Sequence, residues 1–520
     1  MLCCLPLLAW AQNIFTAKTV EGVDMTFKVI SEIEKTCMVG DEKGEHIHSF
    51  PTDYNGGITI PSTANGYKVT RVGSWAFSWC RGLTSVNIPE TVTSIGSQAF
   101  NFTGITEIDF PNSLESIESG AFQGCGGLTS MFVPKSVTNI SNDRWGNAFG
   151  GGNISSITVE KGNPVYDSRD NCNAVIKTAT NELIIGCKNT VIPKTVTRIG
   201  SHAFSGYLGG LTSIVIPAGV TSIGFRAFWD SNLTEILSLI KEPIAVTFDD
   251  GCWNGINPDE ITLYVPKGTK ELYESTEGWN AFKNITEVFN VDGIYYTVTS
   301  PDEMTVEVAN GGSYDGDVVV PEKVAFGGNE FSVTSIGCGA FLYCTNLTSI
   351  TIPFGVTKID DVAFQGCFSL TSITIPESVT NIGCFAFEYC FDLTNIIIPN
   401  SVANIGEGAF AHCPGPTSIN IPEGLTRIGI NEIRNPFYGC SGLMSIVVDE
   451  GNTVYTSAND ANVIIEKESN LLITGCKNTI IPDGVTRIGR YAFADCPDLT
   501  SITIPEGVIS IDDRAFSGCI

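Results

Sequence analysis

Nine cysteines stand at one recurring position, each three residues after a phenylalanine: Cys80, Cys125, Cys344, Cys367, Cys390, Cys413, Cys440, Cys496 and Cys519. Thiols at regular spacing could cross-link, hold a metal or attack an electrophile. In a stack of chain segments equivalent residues lie roughly 4.7–4.9 Å apart, within the Cα range of a disulfide, but their side chains point in parallel and not toward each other. A structural ladder of buried free thiols is therefore expected ahead of disulfides. A metal is not expected: no Cys-x-x-Cys pair occurs, and His46, His48, His202 and His412 are not grouped with cysteines. His46 and His48 read as an exposed loop pair.

Asp167, Asp170 and Asn171 beside Tyr166 offer oxygens of the kind calcium takes. The matching stretch Tyr455-Thr-Ser-Ala-Asn-Asp460 carries fewer carboxylates, so a turn held by Asx side chains is expected instead. Enzymatic chemistry needs a nucleophile beside a base, or paired carboxylates in one pocket. The chain has no Gly-x-Ser-x-Gly elbow, no phosphate-binding glycine loop and no His-Glu-x-x-His. Neither catalysis nor a cofactor is expected.

The cysteines belong to a longer phrase. Leu347-Thr-Ser-Ile-Thr-Ile-Pro353, Leu370-Thr-Ser-Ile-Thr-Ile-Pro376 and Leu393-Thr-Asn-Ile-Ile-Ile-Pro399 follow one another, and Thr417-Ser-Ile-Asn-Ile-Pro422 completes a run of prolines 23 residues apart. Each is followed by a segment such as Val379-Thr-Asn-Ile-Gly383 and then by one such as Ala386-Phe-Glu-Tyr-Cys390. A period in the twenties marks a solenoid. Alternation of apolar and hydroxyl residues before the proline predicts a half-buried strand that the proline ends. Val-Thr-x-Ile supplies a second short apolar segment and glycine the corner. Ala-Phe is expected on a short 3-10 or helical turn with its ring inside. One coil cannot bury these side chains, whereas stacked coils can, at roughly 1.5–3 kcal/mol for each inward Leu, Ile, Val or Phe.

The pattern runs twice. Prolines 61, 89, 111, 134, 193 and 217 mark one array, and 321, 353, 376, 399, 422, 482 and 505 the other. Each array holds one long interval, 134–193 and 422–482, with shared text: Asn173-Ala-Val-Ile176 and Gly186-Cys-Lys-Asn-Thr190 in the first, Val463-Ile464 and Gly475-Cys-Lys-Asn-Thr479 in the second. Duplication of a whole domain is the expectation. Residues 1–12, an apolar run ending in Ala9-Trp10-Ala11, read as a secretory signal. Residues 13–57 are then an N-terminal cap, 58–232 the first array and 233–289 an aromatic closing cap containing Tyr273, Trp279 and Phe282. Residues 290–331 form a second cap, and 332–520 a second array that stops inside a repeat as a truncated frame would.

The repeat Leu-x-x-Ile-x-Ile-Pro-x-x-Val-x-x-Ile-Gly-x-x-Ala-Phe-x-x-Cys closely resembles the BspA-like leucine-rich-repeat family of surface proteins, over nearly all of the chain after residue 12. The usual leucine-rich pattern has Asn or Cys soon after the strand; here the cysteine precedes the next leucine by three, as at Cys344 and Leu347. The resemblance implies a leucine-rich-repeat solenoid and a cell-surface adhesin that binds host matrix proteins or other cells.

The net charge of −27 opposes binding to nucleic acid and to anionic membranes. Apart from the N-terminal run, no apolar stretch approaches the roughly 20 residues of a membrane span, so membrane insertion is not expected and an extracellular or cell-surface location is. The outward strand positions Ser85, Asn87, Glu107, Asp109, Ser349, Thr351, Ser372, Thr374, Ser418, Asn420, Ser501 and Thr503 form a polar stripe on what should be an extended sheet, where solenoids bind partners; solvated strand positions favour the same residues. The competing expectations are a passive structural stalk and a glycan-binding module for nutrient capture.

Overall fold

The computed structural model describes residues 13–40, 50–141, 146–206, 210–429, 435–458 and 461–519. The expected signal segment 1–12, with Cys3 and Cys4, and the His46/His48 pair lie outside them. Two compact units result, one of residues up to Thr286 with Phe326–Asn329, the other of Glu287–Ala325 and Glu330 onward.

In each unit short parallel rungs are stacked behind three-stranded antiparallel meanders. In the first unit the meander Ile14–Lys18, Asp24–Ser31, Thr36–Val39 leads into the rungs Tyr67–Val72, Ser94–Ile95, Ser116–Ile117 and Asn139–Ile140. The long interval then supplies a second meander, Tyr166–Asp167, Val175–Lys177, Glu182–Ile185, which restarts the ladder through Arg198–Ile199, Ser222–Ile223 and Thr247–Phe248. The second unit repeats the arrangement. Val288–Val291, Ile294–Ser300 and Thr305–Val308 precede the rungs Asn329–Ile336, Lys358–Ile359, Asn381–Ile382, Asn404–Ile405 and Arg427–Ile428. Tyr455–Thr456, Val463–Glu466 and Leu471–Gly475 then precede Arg487–Ile488 and Ser510–Ile511.

These rungs are the Val-Thr-x-Ile segments. The Leu-Thr-Ser-Ile-Thr-Ile segments, expected to build an extended sheet, pair only in pieces: Leu347–Thr351 with Gly316–Val319 and Ser372–Thr374, Ser418–Ile421 with Ser445–Val448, Gly56–Thr59 with Leu83–Asn87, and Ser130–Val133 with Ser156–Val159. Their terminal proline has no N–H to donate, which shortens each rung and breaks the ladder easily. Four strands, Ser213–Ile216, Glu235–Ser238, Thr262–Tyr264 and Asn284–Thr286, make the longest such sheet.

The Ala-Phe turns are also not helical, contrary to expectation. In residues 73–80 the amides of Trp75, Phe77 and Trp79 donate to the carbonyls of Ser97, Ala99 and Asn101 in the following coil, while Ala76, Ser78 and Cys80 donate back to Gly73, Trp75 and Phe77. Trp75 and Trp79 adopt left-handed φ of 61° and 64°. A left-handed residue at every fourth position interrupts helical dihedrals and aims alternate amides at the neighbouring coil. Helix is confined to Lys270–Ser275 and four three-residue 3-10 turns among the described residues; one of these, Trp279–Ala281, runs into Ala281-Phe282, but none lies at an Ala-Phe-x-x-Cys site.

The core is a set of files running along each stack. Leu347, Ile350, Ile352, Val356, Ile359, Ala363, Phe364 and Cys367 are all buried within about one coil. The phenylalanines stack face to face: Phe341, Phe364, Phe387 and Phe410 follow at centroid spacings of 5.1 Å with rings 3–6° from parallel. Phe77, Phe100 and Phe122 do the same at 5.1 and 5.2 Å.

Candidate binding faces

The hydroxyls of the repeat divide into two groups. Several of the threonines that follow the leucine bond to a carbonyl of the coil before: Thr234 Oγ1 donates to Thr212 O at 3.2 Å, Thr371 Oγ1 to Thr348 O at 3.1 Å and Thr394 Oγ1 to Thr371 O at 3.2 Å. The threonine of Val-Thr-x-Ile behaves alike, Thr380 donating to Thr357 O and Thr357 to Thr334 O. Where threonine stands there, its hydroxyl supplements a ladder only two residues wide, although Ala403 and Glu115 hold the same position in other rungs.

The predicted stripe is the other group. Asn87, Glu107, Asp109, Thr351, Ser372, Thr374, Ser418, Asn420, Ser501 and Thr503 are exposed, and Ser85 and Ser349 half-buried. Among the described residues only Ser349 of the twelve has its side chain engaged, donating to Asp317 Oδ1 at 2.6 Å. The structure aligns Ser349 with Ser372 and Thr351 with Thr374 across one parallel pair. It gathers Ser85, Asn87, Glu107 and Asp109, with Glu21, around a shallow cavity of about 290 Å³. Ser418 and Asn420 sit on a separate two-stranded sheet, and Ser501 and Thr503 lie outside any strand.

The cysteine file is a hydrogen-bonded feature of the core. All described cysteines are free thiols. Cys367, Cys390, Cys413 and Cys440 donate from Sγ to the carbonyls of Phe341, Phe364, Phe387 and Phe410, one coil back, at 3.1–3.3 Å. Cys125 and Cys519 donate likewise to Phe100 and Phe493. Burial pushes the Cys80, Cys367 and Cys496 thiols up to about 12. Protonated and enclosed, they make poor nucleophiles and poor metal ligands.

At the oxygen cluster, burial works to raise the Asp167 carboxyl, and hydrogen bonds from Arg169 and Thr178 outweigh it and hold it below the usual carboxylate range. Arg169 grips it in a fork, Nε to Oδ1 at 2.8 Å and Nη2 to Oδ2 at 2.6 Å. Asp170 and Asn171 turn the chain in left-handed conformations. The arrangement is a turn clamped by arginine. The corresponding Asp460 lies outside the described residues. No group of three potential metal-ligating side chains occurs among the described residues.

Two features escaped the sequence reading. Asn163 and Asn452 are each the hub of a long interval: Asn452 Nδ2 donates to Pro422 O and Leu425 O at 2.8 and 2.9 Å, and its Oδ1 accepts from Val454 N and Tyr455 N. Asn163 does the same with Pro134, Val137, Val165 and Tyr166. The shared text Gly-Asn-x-Val-Tyr is the signal that could have found them. Second, rings just before the cysteine position reach the surface. Trp79 stacks on Phe102 at 4.4 Å with both exposed, and Tyr343 lies over Gly366 of the following coil. Glycine there leaves room for the ring.

The rungs, thiol file and phenylalanine file define a leucine-rich-repeat β-solenoid. The chain belongs to the family with the BspA type leucine-rich repeat region, whose model matches residues 54–172, 183–274, 330–461 and 467–520. Similar solved structures include a leucine-rich repeat protein of T. pallidum, 24% identical over 43% of this chain and 85% of that one with a TM-score of 0.30. Another, from Bacteroides ovatus, is 22% identical over 84% and 95% with a TM-score of 0.27. A leucine-rich cell surface protein of Faecalibacterium prausnitzii is 21% identical over 94% of each chain with a TM-score of 0.24. Comparison with curated proteins gives no match. Among the described residues no helix is long and apolar enough to cross a membrane.

Proposed function

We propose that the protein is exported and acts at the cell surface as an adhesin-like binding protein, engaging matrix proteins or other cells through its solenoid faces. The observation that carries this reading is the division of labour among the hydroxyls. Thr348, Thr371 and Thr394 belong to the hydrogen-bonded threonine file, whereas Thr351, Ser372 and Thr374 on the first two of those segments, and Ser418 and Asn420 on a later one, are exposed and spend nothing on the fold. A repeated row of uncommitted polar groups on rigid rungs suits a partner's complementary row at little ordering cost. The BspA type family supports surface display, and the matching meanders and asparagine hubs support reading 58–232 and 332–520 as duplicated arrays behind caps at 13–57 and 290–331, the first closed by 233–289.

The test is binding of the full chain to immobilised matrix proteins, serum proteins and glycans at two salt concentrations, which separates specific contact from nonspecific charge. It is repeated with Thr351→Lys, Ser372→Lys and Thr374→Lys combined. Saturable binding to one protein, weakened by the lysines, supports the reading. Unchanged attachment points to a passive stalk, and competition by free polysaccharide alone points to glycan capture.

A further inference from the structure

In the first unit the two faces of the solenoid end at different places. The Leu-type sheet continues through Thr262–Tyr264 to Asn284–Thr286, but the ladder of Val-type rungs stops at Thr247–Phe248, which is an edge strand. On the side facing the previous coil, Thr247 N and Asp249 N donate to Thr221 O and Ile223 O at 2.9 and 3.0 Å. On the other side, the carbonyls of Val246 and Phe248 accept no hydrogen bond among the described residues. Their counterparts one coil earlier, Thr221 O and Ile223 O, are the acceptors just named.

Where the next rung would lie there is an open cleft of about 1010 Å³ between this strand and the Lys270–Ser275 helix. Phe248 forms part of its lining, braced edge-on against Trp279 at 5.3 Å. Ile244 and Leu272 stand at its rim, 83% and 52% exposed. Glu242, Asp249, Asp250 and Glu277 line it, and no lysine, arginine or histidine does. Asp249 is paired with Arg198; Glu242, Asp250 and Glu277 have no ion pair among the described residues.

We propose that this cleft binds an extended, lysine- or arginine-bearing peptide segment of a partner protein, which adds as a further strand to the open Thr247–Phe248 edge. The free carbonyls supply the main-chain acceptors, the apolar rim takes alternate side chains, and the unpaired carboxylates select for cationic ones. The site lies apart from the outward stripe, so its failure and that of the stripe reading are separately visible.

The probe is a short peptide alternating lysine and valine, titrated into the full chain and followed by tryptophan fluorescence, since Trp253 and Trp279 contact Phe248. Saturable binding is expected, weakened about tenfold or more by Asp250→Lys with Glu277→Lys, surface changes that leave the core intact. An N-methylated version of the peptide, unable to donate to the strand edge, should lose binding to a similar degree, and a glutamate-valine peptide should not bind. No saturable binding would overturn the proposal, as would equal affinity for the charge-reversed variant. Equal affinity for the N-methylated peptide would exclude strand addition.

Discussion

At the scale of single residues, fold and chemistry meet in the cysteine file. A thiol enclosed in the core is stable only while protonated, and burial raises Cys80, Cys367 and Cys496 from 9.0 to about 12. For such groups the contribution to stability is complete below the unfolded value and is lost as pH climbs toward the folded one. The thiols' contribution to thermal stability should therefore be level up to about pH 9 and fall steeply between about 9 and 12, by up to about 1.4 kcal/mol per pH unit for each thiol. A Cys80→Ala, Cys367→Ala double variant should show a shallower alkaline limb; an unchanged slope would remove the thiols from the account. A second residue-scale prediction concerns Val362, a β-branched residue at φ 51° where other coils place Gly120, Gly339 or Gly408. Val362→Gly should relieve strain and raise the urea midpoint at unchanged slope, by about 1 kcal/mol. Gly366→Ala should do the reverse, because φ is +76° and the Tyr343 ring occupies the space.

At the scale of elements, the long intervals depend on one asparagine each. Asn452 is buried and satisfies two carbonyls of the preceding coil together with two amides of its own turn. Asn452→Ala leaves those groups enclosed without partners, at about 2–3 kcal/mol, and should release the Tyr455–Thr456, Val463–Glu466, Leu471–Gly475 meander first. Hydrogen exchange should show faster amides there while the rungs before residue 428 keep their protection; uniform acceleration along the unit would instead mean that the meander is not separately anchored. The strands most legible from sequence turned out to be the less continuous. Alternation made Leu-Thr-Ser-Ile-Thr-Ile conspicuous, while Val-Thr-x-Ile offers only four residues of pattern yet forms the longer ladders, because no proline closes its rung.

For the molecule as a whole, each coil is held chiefly by its neighbours. Phe387 is buried between Phe364 and Phe410, and Phe387→Ala should cost about 3–5 kcal/mol. In a stacked array such damage spreads to adjacent coils and fades with distance. Exchange should accelerate around Phe364 and Phe410 and stay unchanged at Phe77 and Phe100; loss of protection at all four would show that the chain unfolds as one cooperative body.

The sequence by itself determined the coil. Period, inward Leu, Val, Ile and Phe, the corner glycine and the cysteine file all follow from spacing, because a repeat of this length can bury its apolar residues only by stacking. Its outward polar positions were legible for the same reason. Only the tertiary structure decided which hydroxyls are spent and which are free, since Thr371 and Thr374 are the same residue three positions apart and differ only in what the neighbouring coil places beside them. It alone decided that the Ala-Phe turns run through left-handed residues, where alternate amides reach the next coil. It also decided that the Val-type ladder of the first unit ends one rung early, leaving an open strand edge that no local pattern records.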